Sequence, residues 1–190
     1  MSSETPKEPI IFLKPTTSII YTNQAIKIPP QSHSIHHEIE LGVIIGKTAK
    51  NIAEEQAYEH IWGYLLSLDI TARDIQAQLK ESRLPWTISK GFDTFAPISN
   101  VVAKEKIADP HNLELTLRVN NQIKQHSNTN QLIHSIPHII SYLSRLMTLE
   151  SGDLILTGTP EGVGELQEHD IIHATLGGNL LELDCIVEKE

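Results

Sequence analysis

The chain has 190 residues, 39% of them hydrophobic, which is enough for one domain with a core of its own. A formal net charge of −9 and a pI near 5.5, with no Lys/Arg cluster, argue against a nucleic-acid partner, which calls for a basic face. The single cysteine, Cys185, excludes a disulfide framework and reads as a small core residue; with no membrane-length apolar run and no signal peptide in residues 1–9, a cytoplasmic protein is expected.

Residues 10–14 (IIFLK) predict a short strand stopped by Pro15, and residues 18–21 and 26–28 predict two more, the second closed by Pro29 and Pro30. Residues 36–46 (HHEIELGVIIG) lead two carboxylates, one residue apart, into an apolar β-branched run, the pattern of a buried strand. Alternation puts His36, Glu38 and Glu40 on one face, and Ile39 and Leu41 on the other, toward a core. Asn51 with Glu54 three positions on has capping-box spacing for a helix to about His60, and residues 61–69 return as a strand that ends in Asp69.

A helix from about Thr71 carries Ala72, Ile75 and Leu79 at helical spacing and ends before Pro85, after which residues 86–92 read as a loop containing Lys90. Residues 113–119 alternate strictly, and Asn120-Asn121 marks a hairpin with one wet face. Residues 125–131, with Ser, Asn and Thr, read as a mobile surface loop. Ser135 as cap, Pro137 in the first turn, and Ile136, Ile140, Leu143 and Met147 on one side predict an amphipathic helix. A strand at 154–156 runs into the turn 157–164, and strands around 171–176 and 180–187 finish the chain. Strands outnumber helices without regular β-α-β alternation, so the expected class is α+β, mainly β, a sandwich or rolled sheet in a single domain over residues 1–190.

Same-face carboxylates repel unless something positive lies between them, and a hard divalent cation meets that need. Glu38, Glu40 and Asp69, arriving from two strand ends, therefore read as a metal site, although a Glu-x-Glu pair at a strand start is also compatible with a solvated face. His33, His36 and His37 suggest zinc, but three carboxylates prefer Mg²⁺, Mn²⁺ or Ca²⁺, which leaves His36 as a supporting or plainly hydrogen-bonded histidine. Arg73, Lys90 and Gln76 are either surface groups or the partners of an anionic ligand, and the glycines of residues 157–164 are either a tight turn or a carboxylate seat of backbone N–H groups. The run Gly42 to Thr48 is not a phosphate-binding loop, because only three β-branched residues separate its glycines.

His36-His37-Glu38-Ile39-Glu40-Leu41, Leu68-Asp69-Ile70-Thr71-Ala72-Arg73-Asp74-Ile75-Gln76, Ser89-Lys90-Gly91-Phe92-Asp93 and Thr157-Gly158-Thr159-Pro160-Glu161-Gly162-Val163-Gly164 resemble the signature blocks of the fumarylacetoacetate hydrolase family, in the right order from about Glu8 onward. Within it the chain is similar to the small acylpyruvate hydrolase and oxaloacetate decarboxylase branch. The resemblance implies the family's mixed β-roll, a homodimer, Mg²⁺ or Mn²⁺ held by Glu38, Glu40 and Asp69, and a small 2-oxo acid touched by Arg73, Gln76, Lys90 and Thr159. It implies a metal-dependent hydrolase or lyase of C–C bonds in acylpyruvates or oxaloacetate, working through an enolate, with Lys90 as the catalytic cation at the oxyanion.

Two alternatives stand beside that reading. One is an isomerase or tautomerase of 2-oxo-dioic acids, of the 2-hydroxyhepta-2,4-diene-1,7-dioate type, and the other is a catalytically impaired metal-binding relative. The second follows from a departure. The branch carries, ahead of the segment matching residues 10–15, a loop whose histidine and glutamate act on water, and no histidine precedes His33 here. Hydrolysis is thus expected to be weaker than decarboxylation, which needs no activated water.

Overall fold

The structure is a computed structural model and describes residues 7–190, so part of the N-terminal stretch on which the leader and loop expectations bear lies outside the described residues. In chain order the strands are β1 (Ile19–Tyr21), β2 (Gln24–Ile28), β3 (Ile35–His37), β4 (Ile39–Ile45), β5 (Ile61–Leu68), β6 (Thr71–Ala72) and β7 (Ala96–Ile98). They continue as β8 (Val102–Ala103), β9 (Glu114–Val119), β10 (Gln122–Asn128), β11 (Leu154–Leu156), β12 (Gly164–Leu166), β13 (Ile171–Leu176) and β14 (Leu181–Lys189). The helices are α1 (Arg73–Glu81), the single turn α2 (Thr87–Lys90) and α3 (Ile136–Leu146).

A six-stranded sheet runs β1-β7-β5-β4-β11 with β8 also on β5, a five-stranded sheet runs β10-β9-β13-β14-β2, and a small sheet joins β12, β3 and β6. β4 and β5 pair antiparallel along nearly their whole length, and both are buried almost throughout, which is why their sequences read as continuous apolar runs. β5 packs against β13 and β14, and β4 against β9, so the two large sheets face one another. Leu41, Leu66 and Leu68 from one sheet and Leu117, Leu183 and Val187 from the other belong to one buried cluster with no measurable exposure of these six side chains. The mainly β class expected from the sequence is what forms. Among the described residues no helix is long and apolar enough to cross a membrane.

The acidic segment is not one strand. β3 belongs to the small sheet and β4 to the large one, and Glu38 stands at the changeover, where its carbonyl accepts the Asp69 amide at 2.8 Å. That single hydrogen bond fixes the start of β4 against the end of β5. On the other edge of β4, near the same end, the Thr157 amide and hydroxyl both donate to the Leu41 carbonyl, at 3.1 and 2.9 Å, and so set where the turn after β11 begins.

Several expectations are corrected. Residues 10–14 join no sheet; their apolar side chains lie along a surface groove instead, with Ile10 61% and Leu13 64% exposed. Asn51 does not cap a helix: it takes a positive φ of 52°, and a 3₁₀ turn begins at Glu54 with Gln56 Oε1 accepting from the Ala53 amide. Residues 87–90 are a helical turn rather than loop, which points Lys90 inward. The wet face of β9 holds at Glu114, exposed, and Arg118, half-buried, opposite the buried Leu115, Leu117 and Val119, and only Thr116 between them is covered. Residues 125–131 are not a surface loop, because β10 continues to Asn128 and a 3₁₀ turn covers Thr129–Gln131. The hairpin holds as read, with Asn120 and Asn121 at φ 50° and 65°, the left-handed pair that a two-residue turn needs. α3 also holds: Ser135 Oγ accepts from the His138 amide, and Ile136 and Ile140 are fully buried, although Met147 stays 37% exposed.

Candidate functional site

Glu38 at the strand changeover, Glu40 on β4 and Asp69 just past β5 bring their carboxylates together, with one oxygen of each within 4.8 Å of the others. All three are buried, at 8%, 4% and 1% exposure, which rules out the solvated-face reading of the Glu-x-Glu pair. Charge at that depth is stable only when it is paired.

The pairing is uneven. Lys90, 2% exposed at the end of α2, donates from Nζ to Glu38 Oε2 at 2.9 Å, to Thr71 Oγ1 at 2.6 Å and to Asp69 Oδ2, with the Phe12 ring centroid 4.7 Å away. Arg73, the first residue of α1, donates from Nη2 to Glu38 Oε1 and from Nη1 to Gln76 Oε1 at 2.7 Å, so the predicted pair one helical turn apart is joined. Lys14 commits its three ammonium protons to the carbonyls of Ile70, Phe95 and Lys90, at 3.0, 2.9 and 2.5 Å. Its Nζ stands 2.8 Å from Asp69 Oδ1 as an ion pair, so that oxygen receives charge but no hydrogen-bond donor. Among the described residues Glu40 makes no ion pair; its Oε2 accepts the Gly158 amide at 2.6 Å.

The acidities follow. Burial pushes Glu38 up, but Lys90 and Arg73 outweigh it and hold the carboxyl below the usual range. Asp69 is raised, first by burial, against the pull of Lys14 and Lys90. Glu40 is raised well above the usual range by burial and then by the charges of Asp69 and Glu38. Burial likewise lowers Lys14. The donor set therefore fits a hard divalent cation: three carboxylates converge, one of them lacks a countercharge, and Asp69 keeps an oxygen without a donor.

Thr159 sits on the turn after β11, beside Gly158, and its Oγ1 accepts from Gln125 Nε2 at 2.9 Å. The turn opens on a groove of about 1040 Å³ whose lining includes the polar Lys14, Glu40 and Thr159 and the apolar Ile133, Leu143 and Met147. Every residue predicted for the site is thus brought to one region. His36 has no hydrogen bond among the described side chains; the supporting histidine is the next residue, His37, 1% exposed, whose Nδ1 lies 2.9 Å from Gln125 Oε1. Lys14 and Gln125 were not foreseen. A lone lysine in an apolar stretch was the one available signal for Lys14, and Gln125 had none, lying in a polar strand that reads like loop.

A family profile described as fumarylacetoacetate (FAA) hydrolase C-terminal matches residues 1–185. The mitochondrial oxaloacetate decarboxylase of Dictyostelium discoideum is 48% identical over 192 residues, covering 100% of this chain and 88% of that protein. The mitochondrial oxaloacetate tautomerase FAHD1 of Bos taurus is 48% identical over 189 residues, covering 100% and 85%. Among solved structures, fumarylpyruvate hydrolase from Pseudomonas aeruginosa in complex with Mn²⁺ and pyruvate superimposes with a TM-score of 0.92 at 38% identity, covering 97% of this chain and 81% of that one. With the blocks read from the sequence now assembled around one buried cluster, the chain belongs to the fumarylacetoacetate hydrolase family.

Proposed function

We propose that Glu38, Glu40 and Asp69 hold one divalent cation, Mg²⁺ or Mn²⁺, and that the chain is an enzyme of small 2-oxo acids, acting as a lyase or hydrolase of a C–C bond. The observation that carries this reading is the convergence of three buried carboxylates with Lys90 Nζ at one point, where one of the three, Glu40, lines a groove. A cation bound there supplies positive charge that favours the enolate of a 2-oxo acid. Arg73, with 29% of its side chain exposed, and the buried Gln76 that it hydrogen-bonds take a substrate carboxylate, which a planar guanidinium fork suits. Thr159 donates its hydroxyl proton to the same acid. Lys90 keeps a buried positive charge where an oxyanion develops, a contribution that is worth roughly 3 kcal/mol for a single donor in other enzymes. The Pseudomonas relative, solved with Mn²⁺ and pyruvate, supports both the ion and the substrate class.

Tautomerisation of oxaloacetate is the second reading, favoured by the bovine relative at 48% identity. It shares the enolate and differs only in moving a proton between C3 and the 2-oxo oxygen instead of breaking a C–C bond. Oxaloacetate and an acylpyruvate, each given to the chain with Mn²⁺ or Mg²⁺, separate the readings by product: pyruvate and CO₂, keto–enol exchange, or a cleaved acyl acid. Binding to the native state alone raises stability by about 2.7 kcal/mol at a hundredfold excess over Kd, so melting temperature should climb with the ion. The Glu38→Gln, Asp69→Asn double variant should lose that climb together with turnover, and an equal climb in both proteins sinks the reading.

We also propose a single-domain homodimer in a reducing compartment such as the cytoplasm. Support comes from the one shared core, the buried free thiol of Cys185, and the exposure of the register partners Ile171 and Ile186, at 61% and 39%. Light scattering should return about twice 21.2 kDa, and a mass near that of one chain contradicts the dimer.

A further inference from the structure

Gln125 belongs to the five-stranded sheet, far in sequence from every predicted site residue, yet it is 1% exposed and makes four contacts toward the site. It is aimed there by a β-bulge: the β9–β10 register shifts between Ile123 and Gln125, and such an extra residue re-aims the side chain that follows. The turn is fitted to this bulge. Gly162 has φ +93°, and a Cβ on it would come within 2.2 Å of the Lys124 carbonyl. Only a residue without a side chain lets the turn lie that close.

The direction of each hydrogen bond can be worked out. The Ile39 amide, which can only donate, faces one end of the Gln125 carboxamide at 3.1 Å, so that end is the oxygen. The Pro160 carbonyl, which can only accept, faces the other end at 3.0 Å, so that end is the NH₂ group. The amide therefore has one orientation. His37 Nδ1, 2.9 Å from the oxygen, must be the protonated ring nitrogen, and Thr159 Oγ1, 2.9 Å from the nitrogen, must accept. A hydroxyl that accepts from Gln125 keeps its own proton to donate elsewhere.

We infer that Gln125 is a positioning residue that fixes the Thr159 hydroxyl as a donor aimed away from the second sheet, toward the carboxylate of the acid. The inference rests on the substrate class proposed above. It gives the bulge a purpose: the second sheet sets the polarity of a group that the first sheet carries. The same amide holds the Ile39 backbone between Glu38 and Glu40, so one side chain braces the carboxylate strand and the turn together.

A double-mutant cycle of Gln125→Met and Thr159→Val decides it, read as KM and kcat for oxaloacetate with Mn²⁺ and as the Kd of oxalate by calorimetry. Each single variant should raise KM and the oxalate Kd about ten- to hundredfold, the effect of one hydrogen bond to a charged group, with kcat within about threefold. The double variant should be no worse than the singles. Multiplying losses, or an unchanged oxalate Kd in Gln125→Met, overturn the inference. Should that variant not fold, Gln125→Glu keeps the acceptor that Ile39 requires and is expected to give the same loss. A wild-type chain that neither turns over oxaloacetate nor binds oxalate overturns the substrate reading instead. The amide hydrogen exchange of residues 158–163 then tests Gln125 directly, with faster exchange in the variant expected and unchanged exchange overturning its role.

Discussion

Lys14 shows how one residue can hold a site without entering its chemistry. Its ammonium closes three main-chain carbonyls from three different segments, and its charge alone reaches Asp69. Replacing it with Met leaves those carbonyls without their donor and Asp69 without one of its two cations. Breaking a buried pair by removing one partner costs about 3–5 kcal/mol, and that is the expected loss for Lys14→Met in urea unfolding. A loss under about 1 kcal/mol would show that water takes over the lysine's place. Glu38, Glu40 and Asp69 were legible because a charge at the edge of an apolar run interrupts a pattern, and the interruption is local. Lys14 and Gln125 were not, because their hydrogen-bond partners are 34 to 88 residues away and nothing nearby in sequence records them.

Elements were legible where burial is simple. β4 and β5 are covered on both faces and α3 on one, so their apolar spacing stands out. The misreadings share a cause in tertiary structure overriding local preference. Residues 10–14 are as apolar as a strand, but Pro15 and the reach of Lys14 into the site turn them to the groove wall. Residues 125–128 are as polar as a loop, but β9 supplies a ladder along which they pair. α2 is too short for a periodic signal, and Asn51 had the spacing of a cap but is held at a positive φ between β4 and the 3₁₀ turn. The changeover at Glu38 was invisible for a similar reason: an apolar strand looks the same whether its two ends serve one sheet or two.

At the scale of the whole molecule, the resemblance carried the architecture further than patterning could, since periodicity gave the strands but not their order. That order disperses the site. Lys90 and Glu38 are 52 residues apart, Glu40 and Gly158 are 118 apart, and both large sheets must be in place before Gln125 meets Thr159. Dispersion has a consequence in time. Each such contact closes a long loop before it is rewarded, so this chain should fold in milliseconds to seconds, and its carboxylate cluster should form after the folding barrier has been crossed. An ion that binds only a finished cluster cannot guide the chain toward it. Mn²⁺ is therefore expected to slow unfolding in stopped-flow experiments by nearly the whole of its equilibrium stabilisation, while refolding keeps its metal-free rate. Refolding that accelerates in step with the ion would mean that the three carboxylates gather early, and the ion would then be a template for this fold and not its late occupant.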